Sequence, residues 1–200
     1  MRTSPNRIRL LVVLSLVCVV AAADASAGQR TAPELWDLLK SGGHVALIRH
    51  ARAPGFGDPP GFRVDDCATQ RNLSDEGREQ ARRIGQAFRD NGVAVDNVLS
   101  SEWCRCLETA ALLGLGPVER FPALNSFFEM RENRDPQMKI LVPWVRDARP
   151  EGVFVLVTHQ VVISALTGEG AGSGEIVVVR PRGDTPGGGT IEVLGTIPPP

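Results

Sequence analysis

The chain has 200 residues, of which 42% are hydrophobic, 22% charged and 5% aromatic. That length suits one domain with a sizeable apolar core. Its 22 basic and 23 acidic side chains nearly cancel, which excludes a disordered polyelectrolyte and a strongly basic nucleic-acid binder. Only Lys40 and Lys139 are lysines; the other 20 cations are arginines, the better fork for phosphate and carboxylate.

Arg2, Arg7 and Arg9 precede an apolar run from Leu10 to Ala23, and Ala25-Ser26-Ala27 follows as a small-x-small site. Residues 1–27 therefore read as a signal peptide cleaved before Gly28, leaving 28–200 as the domain and a secreted or periplasmic destination. A spanning helix needs about 20 apolar residues, so an uncleaved anchor is the weaker reading. No later stretch is long enough to span a membrane. The mature chain would keep Cys67, Cys104 and Cys106. An oxidising compartment permits a disulfide, and an odd count leaves one thiol over. Cys104 and Cys106 point in different directions on a helix, so a bond from Cys67 to one of them is expected. A Cys-x-Cys zinc site with His50 or His159 is the alternative, though it lacks a second spaced pair.

In chain order, Thr31-Ala-Pro-Glu34 opens a helix with a cap, a first-turn proline and a capping-box glutamate. It should run to Lys40 and stop at Gly42-Gly43. His44 to Ile48 reads as a buried strand. Residues 51 to 72 contain four Gly-or-Pro clusters and form a long loop, a length that usually carries function. Ser74 caps a second helix whose inner face is Ala81, Ile84 and Phe88, ended by Asn91-Gly92. Val95 to Leu99 is a strand and Glu102 to Leu113 a helix. Gln137 to Arg149 looks helical with a kink at Pro143. Val153 to Val157 is the clearest buried strand, followed by a short helix from Val161 to Leu166. Glu175 to Arg180 and Thr190 to Leu194 read as late strands around a Gly187–Gly189 loop. This alternation predicts an α/β three-layer sandwich with a mostly parallel central sheet and helices on both faces.

Two of the three histidines stand directly after strands: His50, preceded by Arg49, and His159, preceded by Thr158. Open α/β sheets bind ligands beyond the carboxyl ends of their strands. A neutral imidazole is a competent nucleophile, and two histidines among arginines suit phosphoryl transfer, which needs positioning and fixed positive charge. Arg105 lies early in the helix after the second strand, where its fork could join Arg49. His44 begins its strand at the opposite end and carries no assigned chemistry.

Four blocks then resemble the histidine phosphatase (phosphoglycerate mutase-like) superfamily. Leu47-Ile-Arg-His50 resembles its Arg-His-Gly strand end, and Leu73-Ser-Asp-Glu-Gly77-Arg-Glu-Gln80-Ala81 its Leu-Thr-x-x-Gly-x-x-Gln-Ala helix start. Ser101-Glu-Trp-Cys-Arg105-Cys-Leu-Glu-Thr109-Ala110 resembles its Ser-x-x-x-Arg-x-x-x-Thr-Ala segment, and Val157-Thr158-His159 its second-histidine strand end. The resemblance spans residues 44 to 166. It implies that His50 is the phosphorylated nucleophile, that Arg49, Arg105 and His159 grip the phosphoryl oxygens, and that a downstream glutamate is the acid. By spacing that glutamate is Glu129, behind Phe127 and Phe128 that would bury it; Glu132 and Asp135 compete. Ala51 and Gln160 stand where the family often has glycine, and the short span from Arg105 to His159 leaves no room for a large lid.

Arg52 is assigned to the phosphate pocket by adjacency. Arg63 and Arg71 fit either the pocket or surface pairs with Asp58, Asp65 and Asp66. The expectation is an exported phosphomonoesterase acting on a small phosphorylated substrate, with no cofactor or metal implied, since arginines and His159 supply the positive charge. Export disfavours a mutase and a cytoplasmic phosphoprotein phosphatase. The Ser-x-Trp-Cys-Arg-Cys segment and the leader are similar to lipopolysaccharide core heptose phosphatases, which implies an envelope phosphosugar. The competing class is a non-catalytic binder of phosphate or phosphoglycan in the same pocket, favoured if Glu129 turns away from it.

Overall fold

The computed structural model describes residues 30–182 and 191–200. Residues 1–27, read above as a signal peptide, and residues 187–190, read as a loop and the first residue of a strand, lie outside them. Six strands form one sheet in the order β3-β2-β4-β1-β5-β6. They are β1 (His44–Arg49), β2 (Val95–Ser100), β3 (Val118–Arg120), β4 (Val153–Thr158), β5 (Ile176–Pro181) and β6 (Ile191–Ile197). β1, β2, β3 and β4 pair in parallel, whereas β5 and β6 are antiparallel additions beside β1.

The helices are α1 (Ala32–Lys40), α2 (Asp75–Asp90), α3 (Cys104–Leu113), α4 (Arg134–Asp147) and α5 (Gln160–Thr167). Strands buried on both faces need cover on both, and two separate apolar clusters provide it. On one face Leu35 and Leu39 of α1, Ile84 and Phe88 of α2, and Ala110 and Leu113 of α3 pack on Ala46, Ile48, Val155 and Val157. On the other, Leu141 and Val145 of α4 and Val162 and Ile163 of α5 pack on Val45, Leu47 and Leu156. The chain is therefore the expected three-layer sandwich. No described helix is long and apolar enough to cross a membrane.

Local signals behave as their chemistry requires. The Thr31 amide donates to the Glu34 carboxylate at 2.7 Å, and Ser74 Oγ accepts from the Gly77 amide at 3.1 Å. Several elements depart from expectation, among them β6, which runs to Ile197, three residues past Leu194. Strand β3 was not foreseen, because three residues show no period. Helix α4 begins three residues earlier, at Arg134, and runs through Pro143. The 51 to 72 loop contains a 3₁₀ turn, Cys67–Thr69, pinned by a disulfide from Cys67 to Cys104 at the start of α3. Cys106 is the leftover thiol, and it is buried. With Cys104 in that bond, Cys104 and Cys106 do not form a thiol pair in this structure.

Candidate active site

Three parallel strands end at the same edge of the sheet. They deliver His50 after β1, Ser101 after β2 and His159 after β4. The His50 amide donates to Thr158 O at 2.9 Å and the Ser101 amide to Val157 O at 3.0 Å, so the sheet ladder continues to the residue bearing each functional group. The His50 and His159 rings stand 5.4 Å apart, centroid to centroid, and both are buried.

The loop carrying His50 is fixed by side chains that do no chemistry. The Ala51 amide donates to Thr109 Oγ1 at 3.0 Å, and the Arg52 amide to Gln80 Oε1 at 2.9 Å. Gly77 lets α2 press against this loop: a Cβ there would meet the Arg52 carbonyl oxygen at 2.0 Å. Thus Gly77, Gln80 and Thr109 all hold the backbone at residues 51 and 52. Ala51 needs no glycine conformation, since no described non-glycine residue has a positive φ.

His50 Nδ1 lies 2.8 Å from the Ala51 carbonyl oxygen, which can only accept, so Nδ1 carries the proton and Nε2 the lone pair. Burial lowers the His50 pKa to about 3, and the charges of Arg105, Arg71 and Arg49 push the same way, while its bond to Ala51 opposes them. His159 Nε2 lies 2.9 Å from Ser101 Oγ; burial above all, then the neighbouring charges, holds its pKa well below the usual histidine value. Both rings are neutral near pH 7. Burial pushes the Cys106 thiol, 3.4 Å from His159 Nε2, up to about 12 and leaves it protonated.

Arg49, Arg71 and Arg105 line a pocket of about 150 Å³ with both histidines. Arg49 Nη1 donates to Ala171 O at 2.8 Å. Arg105 donates from Nη1 and Nη2 to the two oxygens of Asp58 at 2.8 and 3.0 Å. In both residues Nε is buried with no partner. Three guanidinium groups and two imidazoles around one pocket make it a site for an anion. Burial, then repulsion from Arg105, lowers the pKa of Arg49 and Arg71, a strain that a bound dianion relieves.

The structure brings together Arg49, His50, Arg105, Glu129 and His159. Arg52 is not among them, a correction to the assignment by adjacency: its exposed side chain pairs with Glu76 in the first turn of α2 at 3.5 Å. Arg63 pairs with Asp65 and Asp66 at the surface, whereas Arg71 lines the pocket. Asp58, read as a surface partner, is instead buried against Arg105. Glu129 lines the pocket, and Glu132 and Asp135 do not. The expected burial of Glu129 is absent: it is exposed, and its Oε1 accepts from the Asp58 amide at 2.8 Å. Gly57, at φ +67°, makes this possible, because a Cβ there would sit 2.6 Å from that oxygen. Phe56, Phe128, Ser126 and Gln160, also in the lining, had no local signal beyond their place in loops or after His159.

Residues 45–131 match the histidine phosphatase superfamily, branch 1. That match covers less than half of the chain, from β1 to the 3₁₀ turn before α4. The chain is 38% identical over 74 residues to the mitochondrial serine/threonine-protein phosphatase Pgam5 of Drosophila willistoni, a match covering 37% of this chain and 23% of that protein. It thus spans about a quarter of the length of the curated relatives it matches. Among solved structures, the SixA protein of Agrobacterium tumefaciens superposes with TM-score 0.53 at 19% identity, covering 78% of this chain and 98% of that one. A phosphoserine phosphatase of Entamoeba histolytica, in complex with 3-phosphoglyceric acid, gives 0.53 at 14% identity, covering 76% and 95%. At these identities the likeness is one of fold: an α/β sandwich on a six-stranded, mostly parallel sheet.

Proposed function

We propose that the chain is a phosphomonoesterase working through a phosphohistidine. The observation that carries the proposal is the neutral Nε2 of His50, oriented by the Ala51 carbonyl, in a pocket lined by Arg49, Arg71 and Arg105. In the first step Nε2 forms an N–P bond as the ester P–O bond breaks, and the departing alkoxide takes a proton from Glu129. In the second, water attacks phosphorus and gives a proton back to the Glu129 carboxylate. The N–P bond then breaks, returning the electron pair to Nε2 and releasing phosphate. Arg49 and Arg105 oppose the charge on the equatorial oxygens, and His159, held at Nε2 by Ser101, offers Nδ1 to them.

Glu129 faces the pocket, the placement that favours an enzyme over a phosphate or phosphoglycan binder. The leader-like residues 1–27 support export to the periplasm or beyond, and the heptose phosphatase resemblance supports an envelope phosphosugar. Purified protein assayed on a phosphomonoester panel tests the reading. Turnover that survives a chelator, is inhibited by vanadate and labels His50 with an acid-labile phosphate is expected. Tight phosphate binding without turnover of any ester would leave the binder.

A further inference from the structure

The pocket is chemically divided along its depth. Its inner end holds His50, His159 and Arg105, all buried. Its outer end is formed by Phe56, Phe128, Val161 and the carboxylate of Glu129. Phe56 is 88% exposed, the largest apolar exposure among the described residues. Its ring stands edge-on to Phe128, with centroids 4.9 Å apart and planes at 90°.

An exposed phenyl ring contributes little to the fold, yet this one is held in place. The backbone after it is tied by Arg71 Nε to Gly57 O at 2.7 Å and by the Asp58 amide to Glu129 Oε1. The pair therefore stands as a fixed apolar wall beyond the phosphoryl site. No exposed lining residue is cationic: Arg105 is buried on Asp58, Arg71 is half-buried with donors on Gly57 and Ala53, and Arg49 is half-buried on Ala171. The one exposed titratable side chain at the mouth is Glu129, the acid of the proposed reaction.

Resting on the phosphomonoesterase reading, we infer that Phe56 and Phe128 form the leaving-group subsite, and that the substrates are phosphate esters of uncharged ring alcohols. A phenyl wall stacks on an aryl ring or on the apolar C–H face of a pyranose. A second anionic group on the substrate would lie against the phenyl wall with no exposed lining cation to pair with it. Phosphorylated carboxylic acids are thereby selected against.

The test measures kcat/KM for p-nitrophenyl phosphate, glucose 6-phosphate, glycerol 2-phosphate and 3-phosphoglycerate, in the wild-type chain and in Phe56→Ala. Phe56 is exposed, so an unchanged thermal melt is expected and is checked first. The ring esters should exceed 3-phosphoglycerate by about tenfold or more. Phe56→Ala should cut kcat/KM for ring esters by about three- to tenfold, through KM, and leave glycerol 2-phosphate within about twofold. Loss on the nitrophenyl ester alone assigns an aryl group, and loss on glucose 6-phosphate alone a sugar. Equal loss on all esters, no loss on either ring ester, or best turnover of 3-phosphoglycerate overturns the inference while the phosphomonoesterase stands. If the folded chain turns over none of them, the phosphomonoesterase reading fails and the inference falls with it.

Discussion

Asp58 and Arg105 form a buried two-pronged ion pair in the wall of the phosphoryl pocket, each side chain 3% exposed. The Asp58 carboxylate also accepts from Trp103 Nε1 at 3.1 Å and from the Arg71 amide at 2.9 Å. Burial alone would raise its pKa, but the Arg105 fork, the Arg71 amide and the indole together hold it below the usual carboxylate range. The carboxylate fixes both terminal nitrogens of Arg105 in the pocket wall.

Removing one partner of such a pair strands the other charge. Asp58→Ala should therefore destabilise the fold by about 3–5 kcal/mol, read as a lower urea midpoint at unchanged slope. Inorganic phosphate should restore more stability to this variant than it adds to the wild type, because the dianion takes over the vacated charge partner. Equal stabilisation of both proteins by phosphate would show that Arg105 does not face the anion.

The histidines should separate by role. His50→Ala removes the atom that bonds phosphorus and should abolish turnover and labelling together. His159→Ala removes only a charge-stabilising partner and should slow turnover by about 10²–10³-fold while a labelled His50 can still be trapped by rapid quench. Near-normal turnover in His50→Ala would assign the nucleophile elsewhere.

Stability should depend on acid in a stated direction. The folded-state pKa of His50 lies at about 3, below the unfolded value of 6.5, and His159 and His44 shift the same way. Between those values the unfolded chain binds more protons than the folded one, so acid favours unfolding. Stability should be full above about pH 6.5 and fall as the pH drops from there towards 3, with Asp58 adding to the loss once it protonates. Urea midpoints at a series of pH values check this. A His50→Phe variant with the same acid slope would remove His50 as a source.

How much of this was legible beforehand differs by feature. The His50 and His159 strand ends, the Ser74 cap and the alternation of elements are local patterns, and local patterns are what a sequence displays. The Asp58–Arg105 pair joins residues 47 apart in sequence, and Gly-Asp-Pro-Pro reads as a surface turn until the fold brings α3 beneath it. Arg52 was misplaced for a related reason. Adjacency to His50 says nothing about where the loop turns, and the Arg52 backbone is drawn onto the first turn of α2, beside Glu76. Strand β3 is three residues long and is made by pairing with β2, not by any periodicity of its own.

The Cys67–Cys104 disulfide ties the loop bearing Asp58 and Arg71 to the helix bearing Arg105. Non-reducing peptide mapping of protein from an oxidising compartment should link Cys67 to Cys104 and leave Cys106 free. Cys67→Ser should cost about 2–4 kcal/mol of stability by freeing the unfolded chain. Three free thiols in that sample would refute the bridge.

Glu129 is the last assignment, and its test turns on the leaving group. Hydrolysis needs a proton on the departing oxygen, and a positioned acid typically contributes about 10²–10⁴-fold. Glu129 is the one of three candidate acids that reaches the pocket, with Oε1 anchored 2.8 Å from the Asp58 amide. That anchor occupies one oxygen and leaves Oε2 to meet the ester. Glu129→Gln preserves an oxygen acceptor for the Asp58 amide, so the loop should keep its place and an effect on rate should report lost protonation. A sugar or alkyl phosphate, whose alkoxide leaves poorly, should lose most of its kcat. A nitrophenyl phosphate, whose phenolate needs no proton, should lose little. The two substrates measured on one preparation decide the matter: equal losses on both would make Glu129 a loop anchor only.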